Sequence, residues 1–171
     1  MNELKIRDRL KILHENSFVW AMRCCDQDQD LAEEALQMVY LKVLDGKAVF
    51  GGKSSFKTWL FSVIKITVLD LKRKDLLRAM RKIKYSNQHS QQDDTSEELD
   101  YRIGKFRDKI AKLPRRQQEV LELHFYHDMT LEEIAGVLRI GVGSVRQHYD
   151  RGKRKLRILL VNTSLVRDEQ I

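Results

Sequence analysis

Apolar residues recur along this chain at intervals of three and four, the period of a helix face, and nowhere alternate as a half-buried strand would. Leu31, Ala35, Leu36, Val39, Leu41 and Val43 predict an apolar helix from about Asp30 to Leu44, ended by Gly46. A second helix begins near Ser55 or Phe56 and runs to about Lys74, with Trp59, Leu60, Val63, Ile64 and Leu71 on its inner side. Ile6, Leu10, Leu13, Phe18, Trp20 and Ala21 predict an earlier helical hairpin. Near the C-terminus, Leu131, Ile134, Ala135 and Leu138 form one apolar face that stops around Arg139. After a turn at residues 140–142, a further helix runs from near Gly143 to about Leu160, with Val145, Tyr149, Leu156 and Leu159 turned inward.

The middle of the chain breaks this pattern. Residues 86–100 read SNQHSQQDDTSEELD, too polar to bury a core, and are expected to form a flexible linker. The expected fold is all-α: two small helical domains, residues 1–85 and 104–171, joined by an acidic segment at 86–103. Proline occurs once, at Pro114, and breakers are otherwise few, which fits helices throughout.

Charge sharpens the picture. The 171 residues carry a formal net charge of +7. The excess of Lys and Arg lies in the two modules, while 86–103 is acidic. A basic protein of this kind suits a polyanionic partner. The two cysteines, Cys24 and Cys25, are adjacent; neighbours rarely bridge, and two thiols cannot complete a structural zinc site. A reducing cytoplasm is the expected location. The first ten residues are charged and have no apolar core, so no signal peptide is expected, and no apolar run approaches membrane-spanning length.

Catalytic patterns are not found. The string Gly51-Gly52-Lys53-Ser54 lacks the first glycine of a phosphate-binding loop and follows no strand. His124 and His127 lie three apart without a further ligand nearby, so they read as surface or satisfied histidines. The expectation is a protein that is not an enzyme and holds no cofactor and no metal.

The strongest motif is local. Residues 130–133, TLEE, form a capping box in which Thr130 and Glu133 exchange hydrogen bonds with each other's amides. Helix, short glycine-containing turn and second helix then follow, with Ala135 small enough for close approach: a helix-turn-helix. The first turns of the second helix would meet base edges, through Ser144, Arg146, Gln147 and Arg151. Arg pairs with guanine O6/N7 and Gln with adenine N6/N7. Lys153, Arg154 and Lys155 lie further along and suit phosphates.

Residues 113–121 (LPRRQQEVL), 130–138 (TLEEIAGVL) and 142–146 (VGSVR) resemble the fourth conserved region of extracytoplasmic-function sigma factors of the sigma-70 family. Residues 31–43 (LAEEALQMVYLKV), 54–64 (SSFKTWLFSVI) and 70–73 (DLKR) resemble that family's second region. Both regions in this order cover most of the chain outside the linker. The resemblance implies a subunit that binds core RNA polymerase and directs initiation at promoters with −10 and −35 elements, with an anti-sigma factor as a further partner and no membrane insertion. It also implies that Glu33, Glu34 and Gln37 dock on the clamp helices of the largest polymerase subunit. The segment containing Lys53, Ser54, Ser55, Phe56, Lys57, Lys65 and Thr67 would open the −10 element, and the second helix of the helix-turn-helix would read the −35 element.

The residues of that segment suit the task in their own right: aromatic surfaces and backbone-tracking cations hold single strands. Trp59, four residues before Val63, belongs to the apolar stripe, which leaves Lys53, Ser54, Ser55, Lys57, Lys65 and Thr67 as the exposed candidates. Lys72, Arg73, Lys74, Arg78, Arg81, Lys82 and Lys84 extend a basic tail suited to phosphates. Four positions depart from the family pattern: Met38 in place of Glu, Thr67 in place of Asn, Gly141 in place of a capping Ser, and Asp150 within the basic helix. An alternative reading is a helix-turn-helix activator with an N-terminal sensing domain; a third is a helical adaptor that binds only protein.

Overall fold

Side-chain caps open three of the helices, through Asp28, Ser55 and Thr130. The computed structural model describes residues 3–82 and 110–168, with side chains for 4–78 and 110–160. Its helices are α1 (Glu3–Ile12), α2 (His14–Cys24), α3 (Gln29–Leu44), α4 (Phe56–Lys82), α5 (Arg115–Phe125), α6 (Leu131–Leu138) and α7 (Val142–Asp168). No strand occurs among the described residues. The linker expected at 86–103 lies outside them. The described helices divide into two units, α1–α4 with residues 136–139 at the end of α6, and α5 and α7 with the start of α6.

In the first unit, Leu13 alone separates α1 from α2. Asp26 and Gln27 then take positive φ (58° and 70°), and Asp28 caps α3 by accepting from the Leu31 amide at 3.0 Å. The helix therefore starts slightly earlier than the apolar pattern suggested. Its end is the expected one: Gly46, at φ 70°, occupies the left-handed position beyond the C-cap Asp45. Helices α2, α3 and α4 pack on one another and α1 leans on α2 and α3. Their shared core holds Trp20, Ala35, Val39, Leu60, Phe61 and Ile64, all fully buried. Each large apolar side chain removed from water contributes about 1.5–3 kcal/mol. Trp20 stacks on Phe61 at 5.9 Å between centroids, and its indole N–H donates to the Phe61 carbonyl at 3.1 Å, so this buried polar atom is satisfied.

Two expectations of the apolar pattern are corrected. Leu41 is 60% exposed. At about 100° per residue it falls in line with Gln37 and Leu44, away from the inward row of Val39 and Val43. Helix α4 continues to Lys82, beyond the expected end near Lys74, because residues 75–82 (DLLRAMRK) contain no breaker and consist largely of strong helix formers.

In the second unit, Pro114 precedes α5 at φ −57°, a conformation its ring imposes. Ile110, Leu113, Leu121 and Leu156 form the core between α5 and α7, with Tyr149 and Leu159 packed against it. Buried Gly152 lets the two helices approach closely: a Cβ there would lie 3.0 Å from Leu121 Cδ1 and 3.2 Å from Gln117 Cβ. Glu119, also buried, is neutralised by Arg116 at 3.0 Å and Arg115 at 3.5 Å.

Candidate nucleic-acid interface

The helix-turn-helix forms through hydrogen bonds among neighbours. The Thr130 amide donates to Glu133 Oε2 at 3.1 Å, and the Glu133 amide donates to Thr130 Oγ1 at 3.2 Å, which is the reciprocal capping box. Helix α6 ends when Arg139 turns left-handed at φ 53° and the Ile140 amide reaches back to the Ala135 carbonyl at 3.2 Å. This six-to-one closure is the Schellman arrangement, with arginine where glycine is usual. The next helix opens at once: the Val145 amide donates to the Gly141 carbonyl at 3.1 Å. Gly141 offers no capping side chain, and α7 begins at Val142, one residue before the expected start.

On α7, Val145, Gly152 and Leu156 are buried and Tyr149 is half-buried, which sets the inward face. Ser144, Arg146, Gln147, Arg151, Lys153, Arg154 and Lys155 are all exposed. At about 100° per residue, Arg146, Asp150, Arg154, Gln147 and Arg151 follow one another across an outward arc of about 140°. Lys153 and Lys155 flank the arc on opposite sides. The helical phase thus separates the expected phosphate group: Arg154 joins the outward row, one turn beyond Asp150. Arg146 leans toward α6, where Glu132 Oε1 accepts from it at 3.5 Å. Lys153 lies 5.5 Å from the centre of the Tyr149 ring, whose edge meets His124 at 4.9 Å. His124 in turn places Nδ1 at 2.9 Å from the Met129 carbonyl. The basic arc therefore rests on a packed aromatic base.

The other candidate segment is less uniform than its residue types suggest. Lys53, Ser54 and Ser55 are exposed and Lys57 is half-buried. Ser55 caps α4, its hydroxyl accepting from the Thr58 amide at 3.1 Å. Phe56 is only 8% exposed and joins Phe50 and Trp59 in an aromatic cluster with centroids 5.2–5.5 Å apart. Trp59, expected in the core, is half-buried at the rim of this cluster, as is Val63 along the same helix.

The expected exposure of Lys65 and Thr67 is corrected. Both are buried. The Lys65 ammonium lies 5.6 Å from the centre of the Trp20 ring. The Thr67 hydroxyl accepts from Lys42 Nζ at 3.1 Å, so the cation nearest this position comes from α3. The reason is tertiary: α2 and α3 cover the face of α4 that bears these residues. Within the expected basic tail, Lys72 is held by an ion pair with Asp26, and Arg78 pairs with Asp75 at 3.3 Å. Arg73 and Lys74 are exposed. The side chains of Arg81, Lys82 and Lys84 lie outside the described residues.

On α3, Glu33, Glu34 and Gln37 are exposed on one face, and Gln29 donates to Glu33 Oε1 at 2.9 Å. Exposed Leu41 and Leu44 continue that face toward the C-terminal end of the helix. The surface is acidic at one end and apolar at the other.

Residues 103–156 match the family model for sigma-70, region 4, a span that takes in α5, α6 and the first half of α7. The chain is 29% identical over 150 residues to the ECF RNA polymerase sigma factor SigX of Bacillus subtilis, covering 84% of this chain and 76% of that one. It is 28% identical over 132 residues to the RNA polymerase sigma factor YlaC of the same organism, covering 75% and 76%. This chain carries a sigma-70 region 4 at residues 103–156, and along most of its length it is similar to extracytoplasmic-function sigma factors.

Solved structures agree on the fold. The sigma factor RpoE of Bartonella quintana, solved with the anti-sigma factor NepR, superposes at a TM-score of 0.69 with 18% identity, covering 91% of this chain and 96% of that one. CnrH, solved with the cytosolic domain of CnrY, gives 0.58 with 20% identity, covering 91% and 87%. Three parts of the candidate site lie outside the pattern of residue types. Lys42 and Glu132 are brought to Thr67 and Arg146 by folding alone. Leu41 and Leu44 share the face of Gln37 by their spacing along α3.

Proposed function

We propose that this chain is a promoter-specificity subunit of bacterial RNA polymerase, acting in the cytoplasm as a transcription regulator and performing no chemistry of its own. The observation that carries this reading is the exposed basic arc of α7 on a capped helix-turn-helix, within a span that matches sigma-70 region 4. In this reading the outward row of α7 enters the major groove at the −35 element, and Lys153 and Lys155 straddle the groove to meet phosphates. The −10 surface consists of Lys53, Ser54, Ser55 and Lys57 beside the Phe50–Phe56–Trp59 cluster, with Lys42 and Thr67 acting as a pair. Aromatic rims and adjacent cations suit an unstacked single strand. Glu33, Glu34 and Gln37, together with Leu41 and Leu44, form the face for core polymerase.

The division into modules at 1–85 and 104–171 belongs to the same proposal, supported by the charge pattern and by two units of structure. By likeness to RpoE, solved with the anti-sigma factor NepR, an anti-sigma factor is a further partner. The decisive test is reconstitution with bacterial core polymerase and sequencing of the transcripts made on genomic DNA. Initiation at a defined promoter set, absent with core alone, is the expected result. Tight binding of the isolated chain to duplex promoter DNA, without any effect on core polymerase, would instead favour a helix-turn-helix activator.

A further inference from the structure

Asp150 is a carboxylate set in the middle of a basic DNA-facing arc. It is exposed, and on the helical phase it lies between Arg146 and the pair Arg154 and Gln147. Its carboxylate has no hydrogen-bond or ion-pair partner among the described residues, although arginines stand four positions before and after it. Arg146 turns instead to Glu132 on α6. Arg154 donates through Nε to the Asp150 backbone carbonyl at 3.4 Å and not to the side chain. For Arg146 part of the reason is directional, since a cation N-terminal to an acid at four-residue spacing is the weaker order on a helix. The fold makes no use of this carboxylate, and it is left free at the surface where α7 would face bases.

An ionised carboxylate only accepts hydrogen bonds. In the major groove guanine presents O6 and N7, and thymine presents O4, all acceptors that repel it. Adenine offers its N6 amine beside the acceptor N7, whereas cytosine offers the N4 amine without that acceptor. We propose that Asp150 is a specificity-determining residue that selects a cytosine in the −35 element by accepting from its N4 amine, and that Glu132 preserves this role by drawing Arg146 away. The assignment rests on the promoter-reading role proposed for α7. The same negative charge repels phosphates, so Asp150 weakens contact with every sequence while sharpening preference at one position.

The test uses full-length protein with core polymerase and a promoter library randomised across the −35 element, read by transcript sequencing. Wild type is expected to favour cytosine at one position by on the order of ten-fold. Asp150→Ala should flatten that position while raising output from the rest of the library. Asp150→Asn should shift the preference toward adenine, whose N6 and N7 match an amide. Asp150 is exposed, so both variants should fold as wild type does, and circular dichroism checks this. If Asp150→Ala multiplies all promoters by one factor and leaves the base profile unchanged, Asp150 is only a repulsive charge and the assignment fails. A wild-type protein that selects no library member would sink the promoter-reading role and this assignment together.

Discussion

Arg146 and Lys155 stand on opposite flanks of α7, and the promoter-reading role proposed for this helix gives them different tasks. Arg146 is anchored toward α6 by Glu132 in the first turns of the helix; Lys155 lies exposed two turns further on. Replacing Arg146 with Ala should lower transcription from the preferred promoter and relax one base position, a loss of roughly 1–3 kcal/mol of discrimination. Lys155→Ala should weaken all promoters about equally and reduce the salt-dependence slope by roughly one. Identical base profiles for the two variants, differing only in scale, would refute the division. In the other unit, burial pushes the Cys25 thiol up to about 11, with nearby Lys72 opposing and Asp28 and Asp26 adding to the rise. Little thiolate forms near neutral pH, so iodoacetamide at pH 8 should leave Cys25 unmodified until the protein is denatured. Because the folded value exceeds that of an ordinary thiol, this group's stabilising contribution is complete below the ordinary thiol range and is lost as pH rises toward 11. The Tyr40 phenol, raised mainly by burial with the Ser17 hydroxyl opposing, acts in the same direction. Denaturant titrations across this range should show stability falling with pH; a rise would contradict both assignments.

At the scale of elements, the helix-turn-helix depends on short-range caps and on one close helix crossing. Thr130→Ala removes the acceptor for the Glu133 amide and should cost about 1 kcal/mol. Gly152→Val forces branched atoms into space already held by Leu121 and Gln117, and should cost roughly 1–3 kcal/mol by overpacking. Gly143→Val, on the same helix with nothing within 4 Å of a built Cβ, is the control and should change stability much less. Thermal melting of the three variants checks the order; equal effects at Gly152 and Gly143 would mean that the α5–α7 crossing is looser than described. Helix α3 shows the same logic on a free surface. Its inward row is set by Ala32, Ala35, Leu36, Val39 and Val43, and that packing obliges Glu33, Glu34, Gln37, Leu41 and Leu44 to share the opposite side.

For the whole molecule, the acidic α3 face is an exception within a basic protein. A net charge of +7 favours DNA at long range, but an acidic and apolar surface on the same chain suits a protein partner with a basic edge. Glu34→Lys should weaken association with core polymerase while leaving the helical circular dichroism signal unchanged, since Glu34 is exposed and outside the core. Leu41→Ala should weaken the same association without altering its salt dependence, as expected for an apolar contact. Core binding measured against salt concentration for both variants separates the two contributions, and wild-type binding in both would remove α3 from the docking surface.

What could be read from the sequence follows the range of the interactions. The helical period, the Gly46 stop, the Thr130–Glu133 capping box and the turn after α6 all depend on residues within about six positions of one another, so the chain itself determined them. The outward placement of Arg146, Gln147 and Arg151 was legible for the same reason, because Val145, Tyr149 and Leu156 already mark the inward side of α7. Lys65 and Thr67 were not legible. Their side chains are polar and basic, and only the covering of α4 by α2 and α3 buries them, against Trp20 and beside Lys42. The free carboxylate of Asp150 belongs with them: its helix phase is a property of the sequence, but the pairing that draws Arg146 away lies on another helix. Tertiary structure decided these cases because burial and charge pairing depend on which helix face meets which, and that is set by contacts between residues far apart along the chain.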